Sequence, residues 1–347
     1  MSDRLTFESL PELIETEDAL EELISRPTQG LVDDLAAVDG DIVVLGVAGK
    51  VGPSLARAAK RAAPGKTVIG VARFSEPGSR EELDGWGIET IKCDLLDRDA
   101  VMRLPKAANV VYMAGKKFGT NDDPSFAWAM NTIVPATVAE HYRASRIVVF
   151  STLCVYPFGT VAHNGWDESV EPRPLGDYAN SCVGRERAFQ YGSRVHGTAG
   201  RLIRLNYSID LRYGVLHDIA SWVNRGEPIP IATGHASVIW QGDVNAQILR
   251  TLKHCTAPTT PLNIGGPEQA SVRAIAHAFG RIFGKEPVFD GVEQPTAWVN
   301  STFRAQQLFG YPTVPLARMI EWVAHWVRND MPAYGKPTRY EVRDGLF

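Results

Sequence analysis

The chain has 347 residues, 44% of them hydrophobic, with 36 Lys+Arg against 40 Asp+Glu and a formal net charge of −4. This is the balance of a globular protein with a sizeable core, either two domains or one large domain carrying a smaller lobe. It leaves no basic footprint for nucleic acid or a membrane surface, so neither partner is expected.

Four cysteines, at 93, 154, 182 and 255, lack zinc-site spacing and are too few for a disulfide framework, which fits a reducing, cytoplasmic compartment. The acidic, amphipathic N-terminus is unlike a signal peptide, and no run of about 20 apolar residues is present to span a bilayer. The eight histidines form no HExxH or paired spacing, so no metal is expected.

In chain order, residues 1–39 read as an acidic, helical N-terminal extension with a break at Arg26-Pro27-Thr28. It is expected to pack on the main domain or at a subunit contact. From 40 to 206, short β-branched runs alternate with helix-length segments. Strands are predicted at Ile42–Gly46, Thr67–Val71, Glu89–Lys92, Asn109–Met113, Arg146–Ser151 and Arg201–Leu205. Helices are predicted over Pro53–Ala63, Phe126–Ser145 and Ala179–Ser193. Such alternation predicts an α/β fold with a Rossmann-type, doubly wound parallel sheet of six strands. Beyond 207 the pattern loosens into Pro- and Gly-containing segments and ends in an amphipathic helix at Leu316–Arg328, with Trp322 and Trp326 on one face. Residues 207–347 therefore read as a smaller, mixed C-terminal lobe for substrate.

The first predicted strand runs into Gly46-Val-Ala-Gly49-Lys50-Val51-Gly52 and then a helix. Glycines at these positions permit a tight turn, let backbone N–H groups approach a pyrophosphate and let the helix pack close to the strand. The second strand ends without the Asp or Glu that would take the ribose hydroxyls of NAD; Arg73 stands there instead. Its guanidinium suits a 2′-phosphate, so the expected cofactor is NAD(P) with a lean to NADP. Asp94, followed by Leu95, is placed to meet the adenine or, alternatively, to cap a helix.

Several further motifs follow in order: Asp94-Leu-Leu-Asp97, Val110-Val-Tyr-Met-Ala114-Gly115, Asn131, Phe150-Ser151-Thr152, Tyr178-Ala-Asn-Ser181 with Glu186, Arg204-Leu-Asn206 and Asn263-Ile-Gly-Gly-Pro267. Together with the glycine loop they make the chain resemble the extended short-chain dehydrogenase/reductases, the NAD-dependent epimerase/dehydratase family, over roughly 41–330. The resemblance implies an NAD(P)-binding Rossmann domain, with Ala114, Gly115, Asn131 and Asn206 among the cofactor contacts. It implies a substrate lobe, and a homodimer through helices beginning near Ser125 and Tyr178. It also implies a Tyr acid/base at Tyr178 and a hydroxyl at Thr152, helped by Ser151, that holds the reacting oxygen. The family's lysine, four residues after the Tyr, is replaced by Cys182. A neutral thiol cannot stabilise a phenolate as an ammonium does. Arg185, one turn further on, and Lys116 and Lys117 after the fourth strand are the candidate cations, with a solvated surface position as the alternative for each.

The stretch Ala236–Val244 lacks the arginine that relatives aim at a nucleotide diphosphate, so a nucleotide sugar is not expected. The expected function is NAD(P)-dependent oxidoreductase or epimerase chemistry on a carbohydrate or sugar acid. Lys116, Tyr207, Arg212, Trp240 and Gln241 are the substrate candidates. For Arg212 an ion pair with Asp210 is the alternative, and for Trp240 and Gln241 core packing. A second functional reading, a non-catalytic NAD(P)-binding sensor, is motivated by Cys182 and the acidic N-terminus; retention of Thr152 and Tyr178 speaks for an enzyme.

Overall fold

Strand β1 (Ile42–Leu45) is apolar and buried at all four positions, as a strand covered on both faces must be. In the computed structural model, which describes residues 4–117 and 119–346, it lies within a sheet of seven parallel strands. The others are β2 (Val68–Ala72), β3 (Glu89–Lys92), β4 (Asn109–Tyr112), β5 (Arg146–Thr152), β6 (Gly200–Leu205) and β7 (Thr260–Ile264). The order is β7-β6-β5-β4-β1-β2-β3. The strand order reverses between β1 and β4, and ligands of such sheets bind at the carboxyl ends of the strands beside that reversal.

Six strands lie where the sequence places them. The seventh is a correction to the expected six: Thr260–Ile264 returns from the C-terminal lobe and pairs with β6, Leu262 opposite Ile203. Its Pro261 and Asn263 hide the strand pattern, and a proline is tolerated because β7 is an edge strand.

Side chains alternate across the sheet. Ile42 and Val44 face one layer with helices α3 (Gly52–Ala62) and α10 (Gln241–Arg250). Val43 and Leu45 face the other, with α7 (Val134–His141) and α8 (Gly176–His196). Between β2 and β4 the chain forms α4 (Ser79–Gly85) and α5 (Arg98–Met102). α6 (Pro124–Trp128) runs into α7 through a π-turn at Ala129–Ile133. The C-terminal lobe packs α9 (Val215–Arg225), α11 (Val272–Phe283) and α13 (Leu316–Arg328) around a core that takes in Trp322 and Trp326. The short α12 (Phe303–Phe309) covers the β7 edge. No helix among the described residues is long and apolar enough to cross a membrane.

The N-terminal segment forms α1 (Glu17–Ile24), capped by Thr16, and α2 (Gln29–Ala36), capped by Thr28 just past the break at Pro27. Leu20, Leu23 and Ile24 enter the lobe core, while Leu31 and Leu35 enter the layer over the sheet. The segment therefore joins both cores. Leu20→Ala is expected to cost about 2–5 kcal/mol, read as a lowered urea midpoint; an unchanged midpoint would mean that α1 is not integral to the fold.

Candidate functional site

The turn after β1 is shaped by two close approaches. A Cβ on Gly46, whose φ is +89°, would lie 2.7 Å from the Ala114 amide nitrogen, and one on Gly52 would lie 2.0 Å from the Val47 carbonyl oxygen. Only glycine lets β4 and the start of α3 come so near. No side chain caps α3; its Gly52 N–H goes to the Gly49 carbonyl and Pro53 has none, so what the helix start offers a ligand is chiefly the positive end of its dipole. Beside this turn is a cavity of about 300 Å³ whose wall includes Gly46, Gly49, Arg73, Asp94, Leu95 and Ala114. Val51 and Gly52 begin α3, and Lys50 turns its ammonium over the Tyr213 ring, 3.1 Å from the centroid. Asp97, not Asp94, caps α5; the Asp94 carboxylate accepts from the Leu96 N–H.

A second cavity, of about 290 Å³, shares Met113 and Gly115 with the first. Thr152, at the end of β5, and Tyr178, in the first turn of α8, meet on its wall, near enough for the Thr152 hydroxyl to act on the phenol. Burial pushes the phenol well above its ordinary range; the neighbouring Cys182 and Cys154 add to this, while Arg185 and the Thr152 hydroxyl oppose it. Cys182 is fully buried and burial raises its thiol too, so it stays neutral.

Arg185 is inside, not on the surface. Its Nη1 donates to the Phe150 carbonyl at 2.8 Å and its Nη2 to Asn131 Oδ1 at 2.5 Å. The guanidinium passes so close beneath Gly115 that a Cβ there would stand 2.2 Å from Nη2. Asn131 sits in the π-turn between α6 and α7, a distortion often found at functional sites. It accepts from the Lys116 N–H and donates to the Lys116 carbonyl and Ser181 Oγ, clamping the loop after β4 to α8. Ser151, also on the wall, donates to Glu186 Oε1 at 2.6 Å, and Glu186 is gripped by Arg204 at 3.1 and 2.8 Å.

Lys116, Tyr207 and Asn206 line the same cavity. Asn206 donates to Asn300 and accepts from the Tyr207 N–H. Lys117 brings its ammonium to 6.0 Å from the Tyr178 ring centroid and donates to the Thr338 carbonyl at 3.4 Å; burial lowers its pKa.

Three substrate candidates are corrected. Arg212 is bound to Asp210 at 3.0 and 2.7 Å and to Glu21 at 2.6 Å, tying α1 to the lobe. Trp240 is fully buried and packs on Trp322 at 5.2 Å between centroids. Gln241 begins α10 and donates to Ser54 on α3, in the seam between sheet and lobe. In each case a nearby structural partner takes the group that the sequence offers to substrate.

Wall residues missed from the sequence are Ser208, Tyr213 and Thr338. Thr338 belongs to an irregular C-terminal segment, and its N–H and hydroxyl both bind Asp218 Oδ2, at 2.8 and 2.5 Å. Burial pushes Asp218 up to about 6. Nothing in the periodicity of that segment signals its place.

Residues 42–206 match the family described as NAD dependent epimerase/dehydratase. Among solved structures, the chain is similar to the UDP-glucose 4-epimerase of Thermus thermophilus in complex with NAD, at 19% identity and a TM-score of 0.68 over 83% of this chain and 99% of that one. The UDP-glucuronic acid 4-epimerase of Bacillus cereus, in complex with UDP-glucuronic acid and NAD, gives the same identity, TM-score and coverages. The epimerase Mth375 of Methanothermobacter thermautotrophicus is 18% identical with a TM-score of 0.69, over 87% of this chain and 96% of that one. A comparison with curated protein sequences finds no match.

Lys50 is brought down to about 8 by burial and by the nearby Lys117 and Lys336. In NMR titrations of the reductively ¹³C-methylated protein, the signal lost in Lys50→Arg is expected to release its proton near pH 8, while surface lysines hold theirs to about pH 10. Titration together with the surface lysines would mean that its ammonium is solvated.

Proposed function

We propose, from the match of residues 42–206 to the NAD dependent epimerase/dehydratase family, that the protein is an NAD(P)-dependent oxidoreductase or epimerase of the extended short-chain dehydrogenase/reductase type, acting on a carbohydrate or sugar acid smaller than a nucleotide sugar. The observation that carries the reading is the Tyr178 phenol beside Thr152 on the wall of a cavity that shares Met113 and Gly115 with the glycine-loop cavity.

The residues present fit the cofactor. Gly46 and Gly49 leave room at the uncapped start of α3 for a pyrophosphate. Asp94 and Leu95 would meet the adenine, Arg73 a 2′-phosphate, and Ala114 and Gly115 the nicotinamide half. Bound there, NAD(P) supplies and takes back a hydride.

Thr152 and Tyr178 hold the reacting oxygen between them. When a ketone is reduced the phenol gives the proton, and when an alcohol is oxidised the phenolate takes it. Cys182 lends no charge to this step. Arg185, through its guanidinium, is the cation that favours the phenolate in place of the missing lysine, and by holding Asn131 and the Phe150 carbonyl it keeps the floor of the site in position. Burial still wins, so the phenol keeps its proton through the neutral range.

A volume of about 290 Å³, shared with the nicotinamide, suits a small substrate better than a nucleotide sugar. The commitment of Arg212 to Asp210 and Glu21 also supports this. We place the protein in the cytoplasm, where its four free cysteines would stay reduced. We also place it in a homodimer through the exposed Ile133, Tyr191 and Val195 around the π-turn and α8.

The experiment is a fluorescence titration with NADH and NADPH. Saturable binding is expected, tighter for NADPH, with the preference lost in Arg73→Ala; saturation by neither would overturn the cofactor reading. With a substrate found in a panel of aldoses, uronates and aldonates, Tyr178→Phe is expected to lower turnover about 10²–10⁴-fold while cofactor binding persists. Unchanged turnover would remove Tyr178 from the mechanism. Because oxidation needs the phenolate and the phenol titrates above its ordinary range, kcat/KM for oxidation is expected to rise roughly tenfold per pH unit through pH 9. Reduction would stay flat over the same interval.

A further inference from the structure

Resting on the reading of the glycine-loop cavity as the cofactor site, we infer that Lys336, in the C-terminal segment, is a further cofactor residue. Its ammonium meets the diphosphate of NAD(P), and through that contact bound cofactor holds in place the segment that gives Thr338 to the second cavity.

Outside the glycine loop lies a third cavity, of about 700 Å³. Ala48, Gly49, Glu76 and Ser79 belong both to its wall and to that of the glycine-loop cavity, so a dinucleotide laid along the loop borders both spaces. Lys336 stands on the wall of the third. Burial, Lys117 and Lys336 together lower the pKa of Lys50 in the loop, which puts the Lys336 charge within electrostatic reach of the glycine turn. A diphosphate there is dianionic, and an ammonium is a strong partner for it.

Three cations line this wall, Lys50, Arg212 and Lys336. Arg212 is bound to Asp210 and Glu21, and the Lys50 ammonium lies over the Tyr213 ring. Lys336 is exposed, and none of the ion pairs among the described residues includes it.

Carboxylates line the same cavity, and they restrict where an anion can lie. Glu17, Asp18 and Glu21 come from α1, Glu82 from α4 and Glu76 from the turn before it. Glu17 and Glu21 both reach Arg212, at 3.6 and 2.6 Å. Burial and the nearby Glu21 raise the pKa of Glu82 above its ordinary value. Asp18 and Glu76 are exposed, where water and salt screen them. A diphosphate is thus repelled from the α1 and α4 walls and drawn to Lys336.

The backbone holds Lys336 at the cleft. The Tyr334 N–H donates to the Arg212 carbonyl at 3.1 Å and the Thr338 N–H to Asp218 Oδ2 at 2.8 Å, so Lys336 sits midway between two fixed points. A further hold on so short a span suppresses local opening of the segment. Cofactor binding thereby steadies the wall on which Thr338 stands.

The test uses the full chain and NADH. By nicotinamide fluorescence, Lys336→Met is expected to have a Kd roughly tenfold above that of the wild type, the loss of one charge-assisted contact, and Lys336→Arg a Kd within about twofold of it. ADP-ribose, which keeps the diphosphate and lacks the nicotinamide, is expected to lose affinity for Lys336→Met by the same factor when it competes with NADH. Trypsin reads the segment, because the exposed Arg339 follows Thr338 and the bond between Lys336 and Pro337 resists the protease. Saturating NADH is expected to slow cleavage after Arg339 several-fold in the wild type and not in Lys336→Met. Unchanged affinity of Lys336→Met for NADH, a loss that spares ADP-ribose, wild-type cleavage that NADH leaves unslowed, or protection that persists in Lys336→Met would overturn the inference while leaving the cofactor reading intact. Failure of the wild type to bind NADH would remove that reading, and this inference with it.

Discussion

The site depends on one buried ion pair. Glu186 on α8 and Arg204 on β6 face each other with 1% and 4% of their side chains exposed, held by two hydrogen bonds in the planar geometry that suits a guanidinium and a carboxylate. Removing either partner leaves a charge in the interior, at a cost of about 3–5 kcal/mol. The pair also collects its neighbours. Ser151 donates to Glu186, the Arg204 guanidinium stacks on the Tyr156 ring at 4.7 Å, and Tyr156 donates to Asn263 on β7. One polar chain therefore runs from the sheet edge to the end of β5 and pins α8 against it. Tyr178, Cys182 and Arg185 are carried on that helix, so their distances from Thr152 are set by a contact that itself takes no part in proton transfer.

Inside that frame, two effects act on the phenol in opposite directions. Desolvation favours the neutral form, and Arg185 favours the charged one. The family resemblance puts a lysine at the helix position that Cys182 holds. Here the cation enters from one turn further along, and most of its hydrogen-bonding capacity goes to Asn131 and a backbone carbonyl. A guanidinium shared among such partners is a firmer strut than an ammonium and a weaker proton-affinity tuner.

What the sequence made legible follows from where the physics is local. A strand buried on both faces is apolar along its covered length, so β1 announces itself, as do the central Val110–Val111 of β4 and Ile147–Phe150 of β5. The glycines at 46 and 52 mark close approaches that no side chain would survive. The pairing of Thr152 with Tyr178 came through family resemblance, not through periodicity. The illegible part is long-range. Arg212, Trp240 and Gln241 have the chemistry of a sugar site, but what they face is decided by α1, α13 and α3, which lie far away in the chain. Thr338 lies in a segment with no regular pattern, and β7 is interrupted by a proline. A residue's type says what it is able to bind; only the packing says what reaches it first.

The placement of Thr338 orders events during synthesis. The glycine-loop cavity is lined by residues between 46 and 130, so its walls are synthesised in the first half of the chain, although the layer beneath β1 is completed only when α10 arrives. The sheet gains its last strand only with residue 264, and the second cavity gains Thr338 later still. The proposed cofactor cavity is thus encoded well before the second cavity can close. Early cofactor capture would stabilise the Rossmann half by mass action while the reactive end stays open, and the chemistry would switch on only as the final segment falls into place.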